Sequence, residues 1–130
     1  MRLLLDTHIL LWAVFTPERI AEAARGALED PHNNILVSAA SAWEIATKHA
    51  LGKLPLPESA ESLIPKMMAA IDAQELPITV RHTVTSTTLP PHHRDPFDRI
   101  LVAQARCEGV TLVTADRMLT RYDATVLWAG

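Results

Sequence analysis

The chain has 130 residues, is 48% hydrophobic and carries a formal net charge of -3. That length and apolar content fit one domain over residues 1–130 with a core of its own, and the mild negative charge excludes the strongly basic balance of many general nucleic-acid binders. No apolar run approaches the roughly 20 residues of a membrane-spanning helix, Asp6 interrupts the first run too early for a signal peptide, and the single cysteine, Cys107, excludes an internal disulfide; the expectation is a soluble cytoplasmic protein.

Residues 2–5 form a short apolar run ended by Asp6, and Ile35-Leu36-Val37 form another ended by Ser38. Both read as buried parallel strands. Between them Pro17-Glu18 opens a helix whose Ile20, Ala23, Ala24, Ala27 and Leu28 recur at helical spacing, and Asp30-Pro31 ends it. A second helix covers about 39–51 and stops near Gly52. Pro55 and Pro57 impose an extended link before a third helical stretch over about 58–73. Leu76-Pro77-Ile78 is at best an edge strand, because proline cannot donate to a ladder.

Residues 80–88 read as a helix although their Thr and Val also suit a strand. Pro90-Pro91-His92-His93 is a loop. Asp95 and Pro96 supply an N-cap and a first helical residue for a helix to Glu108, closed by Gly109. A strand at Thr111-Leu112-Val113-Thr114, a short helix near 117–121 and a strand near 125–128 follow. The alternation predicts an α/β fold of three layers, α/β/α, with a central parallel sheet. In such sheets, sites form at the carboxyl ends of strands.

Four acids stand where apolar runs give way to helix starts or early in helices: Asp6, Glu44, Asp98 and Asp116. Each has an ordinary structural explanation. Asp6 and Asp116 can cap helices, Ser41 with Glu44 matches a capping box, Asp95 with Asp98 makes a charged first turn, and Glu44 can pair with Lys48 one turn later. Capping, however, does not require acids to converge on one sheet edge, whereas a metal site does. Hard carboxylate oxygens suit Mg²⁺ or Mn²⁺, which polarise phosphorus-bound oxygen and acidify water, the chemistry of phosphodiester hydrolysis. Without the cation, some of these carboxyls should have raised pKa values. Thr7, Ser38 and Thr114 are placed to orient carboxylates or water, or simply to cap helices.

No pair of the histidines has zinc-ligand spacing, so His8, His92 and His93 read as structural or substrate-contacting. Trp12, Trp43 and Trp128 read as core or interface area rather than base-stacking platforms. Six arginines after position 80, Arg81, Arg94, Arg99, Arg106, Arg117 and Arg121, either contact phosphates or serve as solvated helix-face charges and salt-bridge partners.

At Leu3-Leu4-Leu5-Asp6-Thr7-His8, Ser41-Ala42-Trp43-Glu44-Ile45-Ala46-Thr47-Lys48 with Gly52-Lys53-Leu54, His93-Arg94-Asp95-Pro96-Phe97-Asp98-Arg99 and Thr114-Ala115-Asp116, the chain resembles the PIN-domain ribonucleases. Within them it is similar to the VapC-like toxins of type II toxin-antitoxin systems. The resemblance implies an endoribonuclease selective for single strands, with Asp6, Glu44, Asp98 and Asp116 as its acidic Mg²⁺ or Mn²⁺ site. Asp98 is preferred to Asp95 because it stands directly before the helical run Ile100-Leu101-Val102-Ala103, which leaves Asp95 as the N-cap. The resemblance also implies a homodimer and a cognate antitoxin bound near the pocket. Two rivals stand beside it. A phosphoacceptor receiver domain fits poorly, since Asp6 is followed by Thr7-His8 and no lysine occurs after Lys66. A PIN-like module that binds RNA or protein without cutting is the other.

Overall fold

The computed structural model describes every residue from Met1 to Gly130. Five strands, β1 (Arg2–Leu5), β2 (Asn34–Ser38), β3 (Ala73–Leu76), β4 (Thr111–Thr114) and β5 (Val126–Trp128), alternate with six helices: α1 (Thr7–Phe15), α2 (Glu22–Glu29), α3 (Ala39–Ala50), α4 (Ala60–Ala70), α5 (Val80–Thr87) and α6 (Pro96–Glu108). The strands make one sheet in the order β3-β2-β1-β4-β5, every pair parallel. None of the helices is long and apolar enough to cross a membrane.

The continuous apolar runs follow from burial on both faces of that sheet. Successive strand side chains point to opposite faces, so Leu3, Leu5, Ile35, Val37 and Val113 join one core with Ile9, Leu10, Ala24, Ile45, Leu63 and Met67 from α1 to α4. Leu4, Leu36 and Leu112 join the other with Leu101, Val102 and Ala105 of α6. Leu3, Leu4 and Leu112 are fully buried, and each such leucine contributes roughly 1.5–3 kcal/mol by leaving water. This is the expected three-layer arrangement.

The topology decides where a site can form. The chain leaves β1 toward β2 on one side, and leaves β4 toward β5 on the other, so the connections diverge between neighbouring strands β1 and β4. A crevice opens at the carboxyl end of such a pair. Asp6 follows β1 and Asp116 lies two residues beyond β4.

Several boundaries differ from those read in the sequence. The expected helix over 17–30 is a single 3-10 turn, Pro17–Arg19, followed by α2, with Ile20 extended between them. The break is held from afar, since the Ala21 N–H donates to the Ala129 carbonyl at 2.9 Å. The edge strand sits earlier than expected, because Ser38 pairs with Leu76 and Pro77 has no N–H to continue the ladder. The turn near 117–121 is a 3-10 turn over Leu119–Arg121. By contrast α6 has both expected ends: Asp95 Oδ1 accepts the Phe97 N–H at 2.9 Å, and Gly109 closes it at φ 63°, in the left-handed region where glycine is unstrained.

Candidate functional site

Asp6 occupies the N-cap position of α1, yet its side chain caps nothing. The carboxylate instead turns toward β4, where Oδ2 accepts the Thr114 hydroxyl at 2.7 Å. Oδ1 is buried and has no hydrogen-bond partner. The simple capping explanation therefore fails for this acid. It also fails for Ser41 and Glu44, because α3 is capped by Ser38, whose Oγ accepts the Ala40 N–H at 2.9 Å. Ser41 and Glu44 lie inside the helix, both buried. Ser41 Oγ accepts the Thr7 hydroxyl at 2.9 Å, which ties α3 to the start of α1.

Glu44 points one carboxylate oxygen, Oε2, at the Lys48 ammonium, the expected i,i+4 pair. Its other oxygen, Oε1, is buried without a partner. Asp98 lies in the first turn of α6, and Asp116 follows β4 with Oδ1 accepting the Met118 N–H at 2.9 Å. His93 spans the last two, with Nε2 at 3.1 Å from Asp98 Oδ2 and 3.0 Å from Asp116 Oδ2. These three side chains bring metal-ligand-type atoms within 4.8 Å of one another.

The acids influence one another's ionisation. Burial first, and then the charges of Asp6, Asp95, Glu44 and Asp116, together raise the Asp98 carboxyl to about 8. Asp6 is also raised, chiefly by burial, against the lowering effect of the Thr114 hydrogen bond. The Lys48 ammonium is held in its charged form first by its hydrogen bond to Glu44, with Asp95 and Asp98 adding to the attraction. Asp6, Glu44 and Asp116 thus lie near enough to Asp98 for their charges to be felt there, while the tight group within 4.8 Å holds Asp98, Asp116 and His93 and neither Asp6 nor Glu44, and Asp95 caps α6.

Two residues of the site carried little signal in the sequence. Lys48 was visible only as a helix-pair partner, and His93 only as one of several loop histidines. The loop bearing His93 is fastened by Arg99, whose Nη2 donates to the Ser86 and Leu89 carbonyls at 2.9 and 3.0 Å, and whose Nη1 donates to those of Pro90 and His93 at 3.1 and 3.2 Å. This arginine is a structural clamp rather than a free phosphate contact. Arg99→Lys should cost about 2–3 kcal/mol in urea unfolding, since an ammonium cannot reproduce the planar fork. A loss below a few tenths of a kcal/mol would show that the loop holds itself.

Of the tryptophans, Trp43 is 63% exposed beside the site, in edge contact with Phe97 at 5.0 Å. It is therefore no core residue. Trp12 and Trp128 lie under the guanidinium groups of Arg19 and Arg117. A cavity of about 400 Å³ lined by Leu5, Ile20, Arg25, Leu28, Ile35 and Ile71, among others, includes none of the four acids.

The model of the PIN domain family matches residues 3–125. The chain belongs to the PIN domain family. Ribonuclease VapC22 of Mycobacterium tuberculosis is 33% identical to this PIN domain over 118 residues, 89% of this chain and 88% of that one. Ribonuclease VapC16 of the same organism is 46% identical over 59 residues, a match that takes in 45% of this chain and 42% of the relative. Among solved structures, this PIN domain superposes on a chain of VapBC2 from Rickettsia felis bound to a DNA fragment from their promoter, with a TM-score of 0.76 at 17% identity and 100% of both chains covered. DNA-bound VapBC from Salmonella typhimurium gives 0.71 at 14% identity, covering 98% of this chain and 97% of that one. These likenesses carry the fold.

Proposed function

We propose that this PIN domain is a metal-dependent endoribonuclease, the toxin of a toxin-antitoxin pair, which cuts RNA phosphodiester bonds at the Asp6, Glu44, Asp98 and Asp116 cluster. The observation that carries this reading is the pair of buried, unpartnered carboxylate oxygens, Asp6 Oδ1 and Glu44 Oε1. A buried acceptor left without a donor costs about 1–3 kcal/mol, and a cation between the acids removes that cost. Oxygen donors fit Mg²⁺ or Mn²⁺ rather than a soft metal. The ribonuclease names of the two mycobacterial relatives support RNA as the substrate.

In this reading Asp6, Glu44, Asp98 and Asp116 hold the cation. Once bound, a divalent cation neutralises charge on the substrate phosphate and polarises its oxygens. The chain's own groups set the geometry. The Thr114 hydroxyl fixes which oxygen of Asp6 is left without a donor, and Lys48 does the same for Glu44. Burial of the cluster strengthens each of these interactions relative to water. Its partners are then an RNA substrate, a cognate antitoxin whose binding blocks the pocket, and a second copy of the chain, all in the cytoplasm.

The test is cleavage of a mixed RNA panel by purified protein with Mg²⁺, Mn²⁺ or chelator, beside Asp95→Asn and Asp98→Asn. Cutting should require the cation. Asp98→Asn should lower it by roughly a hundredfold or more, because it removes a ligand charge. Asp95→Asn should stay within about tenfold of the parent, since asparagine caps a helix as well as aspartate. The reverse order would exchange the two roles, and RNA binding without any cutting would make this a binding module.

A further inference from the structure

The ring of His93 is fixed at both nitrogens. Nδ1 accepts the backbone N–H of Asp95 at 3.0 Å, and Nε2 faces the Oδ2 atoms of Asp116 and Asp98 at 3.0 and 3.1 Å. A backbone N–H only donates, so the nitrogen that receives it offers its lone pair and bears no proton. The ring proton is then on Nε2, which has no in-plane lone pair left for a metal. The same device occurs at His82, where the Thr79 N–H donates to Nδ1 at 2.9 Å and Nε2 meets Glu108 Oε1 at 2.9 Å. There it makes a buried histidine a fixed donor within a helix cap.

We propose that His93 is a positioning residue rather than a metal ligand: its N–H lies between Asp98 and Asp116 where a second cation would bridge them, so the site holds one divalent cation per chain. The inference rests on the metal-dependent reading above. Paired cations in phosphodiester-cleaving sites sit about 3.5–4 Å apart and share carboxylates, and each takes oxygens at about 2.0–2.1 Å. A cation bridging the two Oδ2 atoms would have to displace the Nε2–H, because both would occupy the same space and use the same oxygens. Displacement is resisted from behind. The His93 carbonyl is held by Arg99 at 3.2 Å and its N–H by the Tyr122 hydroxyl oxygen at 2.8 Å. The buried carboxylate oxygens left without a donor, Asp6 Oδ1 and Glu44 Oε1, belong to the other two acids and are the acceptors that remain for a single ion.

Two measurements on the full chain test this. Long-range ¹H–¹⁵N NMR of the wild type, before and after saturation with Mg²⁺, should show the His93 proton on Nε2 in both states; its move to Nδ1 with Mg²⁺ would make His93 a ligand and overturn the proposal. Mn²⁺ counting by electron paramagnetic resonance should give one ion per chain for the wild type and for His93→Gln, whose amide N–H replaces the donor. His93→Ala should admit a second ion. Two ions in the wild type, or one in His93→Ala, would sink the inference while leaving the metal-dependent reading intact. No bound Mn²⁺ in the folded wild type would overturn both.

Discussion

Asp6→Asn is expected to lower RNA cleavage by about a thousandfold, the equivalent of about 4 kcal/mol of lost transition-state stabilisation, without destabilising the cation-free protein. The two effects have one origin. Asp6 is 3% exposed, and burial raises its carboxyl against the pull of Thr114, so the charge that the reaction needs is one the protein bears at a cost without a cation. Asparagine keeps the shape and an oxygen to accept the Thr114 hydroxyl. Its NH₂ group takes the place of the unpartnered Oδ1, and the buried charge is gone. Removing a buried negative charge that lies close to that of Glu44 relieves the fold.

Single-turnover cleavage and a thermal melt in chelator, read on the same preparation, test the pair of outcomes. The midpoint should equal or exceed that of the parent, as expected where a strained site trades stability for activity. Wild-type cleavage would remove Asp6 from the site. Loss of both cleavage and fold would make it a structural residue instead.

The parts legible in the sequence are those in which local residues determine the outcome alone. β1, β2 and β4 are continuous apolar runs because both faces of a parallel sheet are covered, and α6 has its ends written in Asp95-Pro96 and Gly109. β3 lies earlier than its sequence suggests because Ala73-Gln74-Glu75 is half-polar and becomes a strand only by pairing with β2. The split before α2 depends on Ala129, more than a hundred residues away, which no window can detect. The cap of α3 falls at Ser38 rather than Ser41 because β2 ends there, and two serines so close offer the same local signal.

The site divides in the same way. Its acids were visible through their positions after strands and early in helices, and topology places Asp6 and Asp116 beyond the carboxyl ends of the neighbouring strands β1 and β4. His93 was not. Its tautomer depends on Asp95, its approach to Asp98 and Asp116 on a loop, and that loop on Arg99 and Tyr122. Nor does a sequence show which carboxylate oxygens lack donors, because that follows from Thr114 and Lys48 each taking one oxygen and leaving the other.

Held free of divalent cations, the protein should lose stability as pH rises from about 5 to about 8, by an amount on the order of a few kcal/mol. The Asp98 carboxyl stands at about 8 in the fold against 3.8 for an unhindered aspartate. Between those values the folded state keeps a proton that the unfolded chain has released, so the unfolded state binds fewer protons and the stability falls with pH. The contribution is fully present below the lower value and lost as pH passes the higher one. Asp6, also raised, acts in the same sense. Lys48 faces the cluster too, but its shift is upward from 10.5, beyond this window. Cation binding should oppose the trend, because carboxylates must give up their protons to hold it. The gap between thermal midpoints with Mg²⁺ and with chelator should therefore widen from about pH 6 to about pH 8, since a ligand stabilises in proportion to how tightly the fold binds it. Calorimetric titration in buffers of different ionisation enthalpy should show protons released on binding. A gap that stays flat or narrows, with no proton release, would mean that the cation does not bind at Asp98 and Asp6, and the acids would need another explanation for their convergence.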